Sequence, residues 1–402
     1  MRRISAITPV VNAALAPLTI GRRDPDRAFD RLLDQAVKAS GGTAVGDEVF
    51  IEDFRFLLRD FAAVEGLTSI GWLSAIGDIR SRLENRLRIR RLHATLPLRF
   101  GVIERPIVVV GLPRTATTLT HNIIARSEAH RAPLLWEWMH TDLPMEPAAE
   151  QQVIRSTRRA MRTVLRLAPA FWSIHPQDPE RPDEDPFLLP HGSQHLARAP
   201  LPDYERRLAD RDFGADYDYL KQALQVLQHG RPHKRWVLKS PTHLENLPEL
   251  VRVFPDCTIV WMHRDPVTIV GSICSLVETS TRLHVRNPRL DEIGKMCLRL
   301  LERLIDRARE SLPAIKDRVI HVPYDWLCSD PHQAVPRLYD LVGANWTGED
   351  ADALDGVLAR PDRARLHEYE IARYGLDTTT IEAAFGNYGR WSTMPGPEPS
   401  HR

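Results

Sequence analysis

The segment Pro106 to Ala125, PIVVVGLPRTATTLTHNIIA, constrains the fold of this chain more than any other stretch. Ile107, Val108, Val109 and Val110 form a β-branched run too short for a membrane span and suited to a strand buried on both faces. Gly111 and Pro113 break that strand. Arg114, Thr115, Ala116, Thr117 and Thr118 then lead into Leu119, Ile123 and Ile124, whose spacing lays one apolar stripe along a helix. A strand, a tight loop and a helix N-terminus in direct succession aim unpaired backbone N–H groups and the positive end of a helix dipole at one point, which suits a phosphate. Arg114 and the three threonine hydroxyls add charge and further donors.

The loop is not that of the nucleotide triphosphatases, G-x-x-x-x-G-K-[ST]. Counted from Gly111, the second glycine position holds Ala116 and the lysine position holds Thr117, so the groups that grip β- and γ-phosphates are missing. The run Pro113 to Thr118, PRTATT, instead resembles the 5′-phosphosulfate loop of the sulfotransferases that use 3′-phosphoadenosine 5′-phosphosulfate, P-[KR]-[ST]-G-T-T. Ala116 stands in the place of the family's glycine, a place that often serves positive φ or a close backbone approach.

Three further segments carry the same resemblance. Arg264 follows the strand-like run CTIVWM, Cys257 to Met262, and Ser272 lies eight residues beyond it. In the family an arginine and a serine so spaced hold the 3′-phosphate, a role that a guanidinium fork and a hydroxyl suit. Asp265 is an alternative partner for Arg264. Pro323-Tyr324-Asp325-Trp326-Leu327 resembles the Y-E-D-[LM] segment, which implies that Tyr324 contacts the adenine. The tail from Arg363 to Trp391, with HEYEIARYGL and FGNYGRW, is similar to the closing pattern of the bacterial members and offers arginines to the 3′-phosphate. In the carboxylate-dependent branch a glutamate just beyond the loop helix is the base, and the resemblance nominates Glu137; pairing of Glu137 with a nearby arginine is the structural alternative. His243 is the alternative base. Asp183, Glu184 and Asp185 resemble the branch's acidic P-E-E-D patch.

Composition narrows the remaining choices. The 402 residues carry a formal net charge of +1, so no global field favours nucleic acid. Basic residues are almost all arginine; Lys239 is one of only six lysines and falls at the end of the strand-like run KRWVLK, Lys234 to Lys239. Cys257, Cys274, Cys297 and Cys328 have neither C-x-x-C spacing nor a disulfide framework, which fits a reducing, cytoplasmic setting. Pro9, Asn12 and Pro17 interrupt the weakly apolar start, so no signal peptide is expected, and no run approaches the ~18 apolar residues of a membrane helix. His175, His191 and His195 lack metal-ligand spacing.

Residues 1–99 read as an N-terminal helical cap: Phe29, Leu32, Leu33, Ala36 and Val37 recur at helical spacing, and Ile51 to Leu58 and Trp72 to Leu92 repeat the theme. From residue 100 to 402 strands alternate with helices, with a further strand at Arg318 to Val322, which predicts a parallel doubly wound α/β sheet whose ligands lie at the strands' carboxyl ends. Arg114, Lys239 and Arg264 all fall at such ends. Gln151 to Leu167 is amphipathic. Phe171 to Pro202, rich in proline, histidine and acid, reads as a long ordered loop over the acceptor site.

The resemblance, from about Arg99 to Trp391, implies an enzyme that moves the sulfuryl group of 3′-phosphoadenosine 5′-phosphosulfate to a hydroxyl and needs no metal. Arg114, Thr115, Ala116, Thr117 and Thr118 would hold the 5′-phosphosulfate, and Lys239 would stabilise charge on the bridging oxygen. The aromatic, proline-rich loop and the lack of a polyanion-binding face favour a small or lipid-like alcohol as acceptor. Two other readings stay open at this stage: a nucleotide kinase with an eroded loop, which would need Mg²⁺ and a lysine that the loop lacks, and a nucleotide-binding protein without chemistry.

Overall fold

The structure is a computed structural model that describes residues 3–358 and 370–397. Four helices come first: α1 (Thr8–Leu15), α2 (Pro25–Ser40), α3 (Glu48–Ala63) and α4 (Ser69–Thr95). Asp24 and Thr68 start α2 and α4 as side-chain caps, accepting from the backbone N–H groups of Arg27 and Gly71. Phe29, Phe54, Leu57 and Trp72 make the centre of this layer, and Leu196, Leu201, Tyr204 and Leu208 from beyond the sheet's first half complete it. The layer is therefore packed into the body of the protein through a shared core.

β1 (Ile107–Gly111) leads into α5 (Thr117–Ala125), then β2 (His130–Arg131), α6 (Leu135–Met139) and α7 (Pro147–Leu167). A proline-rich stretch with one helical turn, α8 (Phe171–Ile174), precedes α9 (Pro202–Ala209), α10 (Gly214–Gln228), β3 (Arg235–Lys239) and α11 (Leu247–Val253). β4 (Thr258–His263), α12 (Pro266–His284), α13 (Leu290–Ile315), β5 (Val319–Pro323), α14 (Tyr324–Ser329) and α15 (Pro331–Leu341) follow. The sheet is parallel throughout, in the order β2-β3-β1-β4-β5. Two elements escape a reading by motif: the two-residue β2, and the 26-residue α13, whose stripe of Ile293, Cys297, Leu301, Leu304, Ile305 and Ala308 is buried.

The period of two along β1 explains why both faces are covered. Val108 and Val110 point to the side packed by α10 to α13, whereas Ile107 and Val109 point to α5, α14 and α15. β1 lies at the sheet's centre, flanked by β3 and β4, so the loops after these three strands converge at one edge.

Burial of two histidines makes the fold sensitive to acid. His121 donates to the carbonyl of Val237, and His195 to that of Pro190; burial, with Lys239 beside the first and Arg82 and Arg198 near the second, pushes each imidazole to about 3. Unfolded, each takes a proton near pH ~6.5. The unfolded chain thus binds more protons over that interval, and stability falls as pH is lowered through it. At about pH 5 the expected loss is roughly 2 kcal/mol per histidine. The urea midpoint should be clearly lower there than near neutrality; an equal midpoint would contradict these burials.

Candidate active site

The junction between β1 and α5 turns on three residues with positive φ. Gly111 has φ 151°, and a Cβ there would stand 2.7 Å from both the Met262 carbonyl oxygen and Thr115 Oγ1, so glycine is required. Arg114 has φ 75° and Ala116 φ 69°, ψ 19°. The left-handed conformation costs an L-residue about 1 kcal/mol or more. Ala116 therefore takes a backbone shape that glycine adopts without strain. Thr115 is turned inward, fully buried, its hydroxyl donating to the Leu112 carbonyl at 2.8 Å. Its side chain is thus a brace of the turn, in contrast to the phosphate-binding hydroxyl expected from sequence.

The loop forms one end of a cavity of about 350 Å³. Arg114, Ala116, Thr117, Thr118, Lys239 and Arg264 line that end, with Tyr324 beside them. The guanidinium of Arg114 donates to Ser272 Oγ at 3.0 Å and to the Ile174 carbonyl at 2.9 Å, while Arg264 donates to the Arg114 carbonyl at 3.0 Å and lies 4.2 Å above the Tyr324 ring. Ser272, two turns into α12, is nearly buried beneath Arg114. Asp265 caps α12, accepting from the Thr268 N–H and hydroxyl at 2.8 and 2.7 Å. The sequence alternative in which Asp265 occupies Arg264 is not what the chain adopts.

Lys239, at the carboxyl end of β3, is buried and donates to Glu184 Oε2 at 2.8 Å, with Thr118 Oγ1 at 3.5 Å. Burial alone would raise the Glu184 pKa, but the ammonium of Lys239, with His175 nearby, outweighs it and holds the carboxyl below its usual range. Desolvation works against the charged lysine too, and the carboxylates of Glu184 and Asp183 overcome it, so Lys239 stays protonated beyond its usual pH. Asp183 is pushed up by burial and keeps that direction despite Lys239. His175, which also faces the cavity, is pushed down by desolvation.

Both bases nominated from sequence sit elsewhere. Glu137 is buried at the start of α6; Oε2 accepts from the Leu134 N–H at 2.9 Å, and Oε1 from Arg131 Nη2 at 2.5 Å. Arg131 in turn bonds the Leu227 carbonyl and stacks on Trp236. Glu137 is a helix cap that ties β2 and α6 to α10 and β3, the structural alternative foreseen for it. His243 is fully buried between Tyr217, whose hydroxyl is 2.7 Å from Nδ1, and Asp185, whose Oδ2 is 2.7 Å from Nε2. Neither residue borders the cavity. The carboxylate that does border it is Glu184, from the acidic run that sequence alone marks only by likeness to a family patch. Of the tail, Arg373 is directed to Glu278, and His367 and Tyr369 lie outside the described residues.

Beyond Glu184 the cavity loses its charge. One wall is the α12 face with Ile273, Leu276 and Val277; the other is α13 with Met296, Leu300 and Leu304. Ser193 and Gln194, from the proline-rich stretch, add polar groups to the lining. The signal for this apolar arm was present in sequence as the helical periodicity of residues 290–315, which no motif marked. Among the described residues no cluster of His, Cys, Asp and Glu is placed to hold a metal ion, and no helix is long and apolar enough to cross a membrane.

Comparison with known proteins gives the family of the chain. The chain is 27% identical over 318 residues to the omega-hydroxy-beta-dihydromenaquinone-9 sulfotransferase Stf3 of Mycobacterium bovis, and equally to that of Mycobacterium tuberculosis, covering 70% of this chain and 78% of the relative. Its fold is similar to the crystal structure of sulfotransferase STF9 from Mycobacterium avium, with TM-score 0.81 and 25% identity over 92% of this chain and 97% of the other. Sulfotransferase STF1 from Mycobacterium tuberculosis superposes with TM-score 0.77 at 26% identity, over 89% and 98% of the respective chains. The profile of the sulfotransferase family matches residues 106–348, more than half of the chain, beginning at the first residue of the phosphate-loop segment. The chain belongs to the sulfotransferase family and is a sulfotransferase.

Proposed function

We propose that this enzyme transfers the sulfuryl group of 3′-phosphoadenosine 5′-phosphosulfate to the hydroxyl of an apolar, lipid-like alcohol, with Glu184 as the base. One observation carries the reading: a single cavity joins the phosphate loop and the Lys239–Glu184 pair at one end to an uncharged wall of α12 and α13 at the other. The residues fit the donor. Loop amides, Arg114, Thr117 and Thr118 suit the 5′-phosphosulfate, Arg264 and Ser272 the 3′-phosphate, and the Tyr324 ring the adenine. The named acceptor of the mycobacterial relatives is a hydroxylated menaquinone, an apolar body that such an arm would admit.

Transfer forms a bond from the acceptor oxygen to sulfur and breaks that from sulfur to the phosphate oxygen, leaving 3′,5′-bisphosphoadenosine. Glu184 takes the acceptor's proton, and Lys239 moves its charge toward the phosphate oxygen that departs. The two tasks are linked because both groups now share one hydrogen bond. A donor anion competing for Lys239 leaves Glu184 with less neutralisation, hence a stronger base than in the empty pair. Orientation by the cavity supplies the rest, since the protein need only align the partners and meet the developing charge.

Arg264→Ala and Ser272→Ala test the placement of the 3′-phosphate. Arg264→Ala should weaken 3′-phosphoadenosine 5′-phosphosulfate by roughly 1.5 to 3 kcal/mol, the worth of a hydrogen bond to a charged group, while affecting adenosine 5′-phosphosulfate far less; Ser272→Ala, which also removes the oxygen that Arg114 bonds, should weaken both, the 3′-phosphorylated donor more. Calorimetric titration of both nucleotides reads this directly. Equal losses for the two would place these residues away from the 3′-phosphate.

A further inference from the structure

Among the described residues, six of the nine exposed large apolar side chains fall in two stretches, residues 7–20 and 164–172. Ile7, just before α1, and Val10 on it are 54% and 70% exposed, and Leu18 and Ile20 just after it 62% and 71%. Val164 at the end of α7 and Trp172 on α8 are 42% and 60% exposed. The Leu167 carbonyl accepts from the Ser5 N–H at 2.9 Å and from the Thr8 hydroxyl at 3.1 Å, which seats the start of α1 on the α7–α8 corner. Monomeric proteins rarely leave such a patch uncovered unless it meets another surface.

A basic groove of about 820 Å³ runs along the other edge of α1. Arg3, Arg282, Arg286 and Arg373 border it, and Glu278 is the one carboxylate there, already bound by Arg3, Arg282 and Arg373. Four arginines against one carboxylate leave three positive charges beside the apolar patch. Apolar side chains including a tryptophan, edged by arginine, match a bilayer interface in which acyl chains lie beneath anionic headgroups. The charge is of the wrong kind for a second copy of the same basic face.

We propose that α1, the α7–α8 corner and the groove between α1 and α12 form a docking surface for a bilayer containing anionic phospholipid. The surface adjoins the active site through α8: Trp172 is two residues from Ile174, whose carbonyl accepts from Arg114, and His175 borders the cavity. α12 carries the groove on one face and the cavity wall, Ile273, Leu276 and Val277, on another. Docking by this face brings the cavity to the membrane surface. The proposal concerns binding alone and stands or falls separately from the assignment of acceptor and base.

The test is sedimentation of the full chain with vesicles of phosphatidylcholine, or of phosphatidylcholine mixed with phosphatidylglycerol, at low and high salt. The wild type should bind the anionic vesicles, bind the neutral ones at least about tenfold more weakly, and be released by salt. The double substitution Val10→Asp with Ile20→Asp, at positions already in water, should lower binding about tenfold or more with unchanged melting temperature; Arg286→Glu should lower it several-fold. Absence of binding by the wild type, equal binding to both vesicle types, or full binding by both variants would overturn the proposal. So would a wild-type dimer that the double substitution dissociates, because the patch would then be covered by a second copy.

Discussion

Glu184→Gln is expected to lower turnover by roughly 10²- to 10⁴-fold, the usual worth of a positioned proton transfer. Glutamine keeps the size of the side chain and can still meet Lys239, but it cannot accept the acceptor's proton. Affinity for the donor should not fall. It should rise slightly, because Lys239 loses the carboxylate that holds it at 2.8 Å and is left to the incoming phosphosulfate. The contrast is Glu137→Gln, where the lost bonds to Arg131 and the Leu134 N–H are distant from the cavity. That variant should lose roughly 1.5 to 3 kcal/mol of stability and keep the turnover of its folded fraction. Acceptor acidity offers a further handle, since a phenol needs less help in losing its proton than an aliphatic alcohol and should be less sensitive to Glu184→Gln. Turnover that collapses in Glu137→Gln and survives in Glu184→Gln would reverse the assignment.

Lys239→Met should cost about 10²- to 10³-fold in turnover through the leaving oxygen alone, and it should also move the pH dependence. In the wild type Lys239 outweighs burial and keeps Glu184 ionised below its usual range. Without the ammonium, burial dominates and the carboxyl is raised. The base then becomes protonated at higher pH, so the acid limb of the rate profile should shift upward. Lys239→Arg restores the charge and should return that limb toward the wild-type position even if turnover stays low. A fall in rate with no movement of the acid limb would mean that Lys239 does not govern the carboxylate that acts as base.

The four longer strands and the phosphate loop were legible because their signals are local. A β-branched run, a break and an apolar helical stripe within Pro106 to Ala125 suffice to place β1, the turn and α5, and the Arg264–Ser272 spacing follows from one strand end and two helical turns. The Lys239–Glu184 pair was not legible, since the two residues stand 55 positions apart and meet only through tertiary packing. Order along the chain points instead to Glu137, whose apolar surroundings turn out to enclose a cap and an arginine. His243 follows Lys239 closely, yet the turn at Pro241–Asn246 rotates it into the core against Tyr217 and Asp185. The apolar arm escaped notice for a different reason: α13 is a plain amphipathic helix, and nothing in its composition says which pocket its stripe will border.

The most direct test of the account is a single turnover with labelled 3′-phosphoadenosine 5′-phosphosulfate bound in advance, followed by addition of a long-chain primary alcohol, comparing wild type with Glu184→Gln. Both proteins should bind the donor, and the wild type alone should pass the label to the alcohol at a measurable rate, with 3′,5′-bisphosphoadenosine formed in equal amount. A wild type that holds the donor yet transfers nothing to apolar alcohols, or a Glu184→Gln variant that transfers as fast as the wild type, would contradict it.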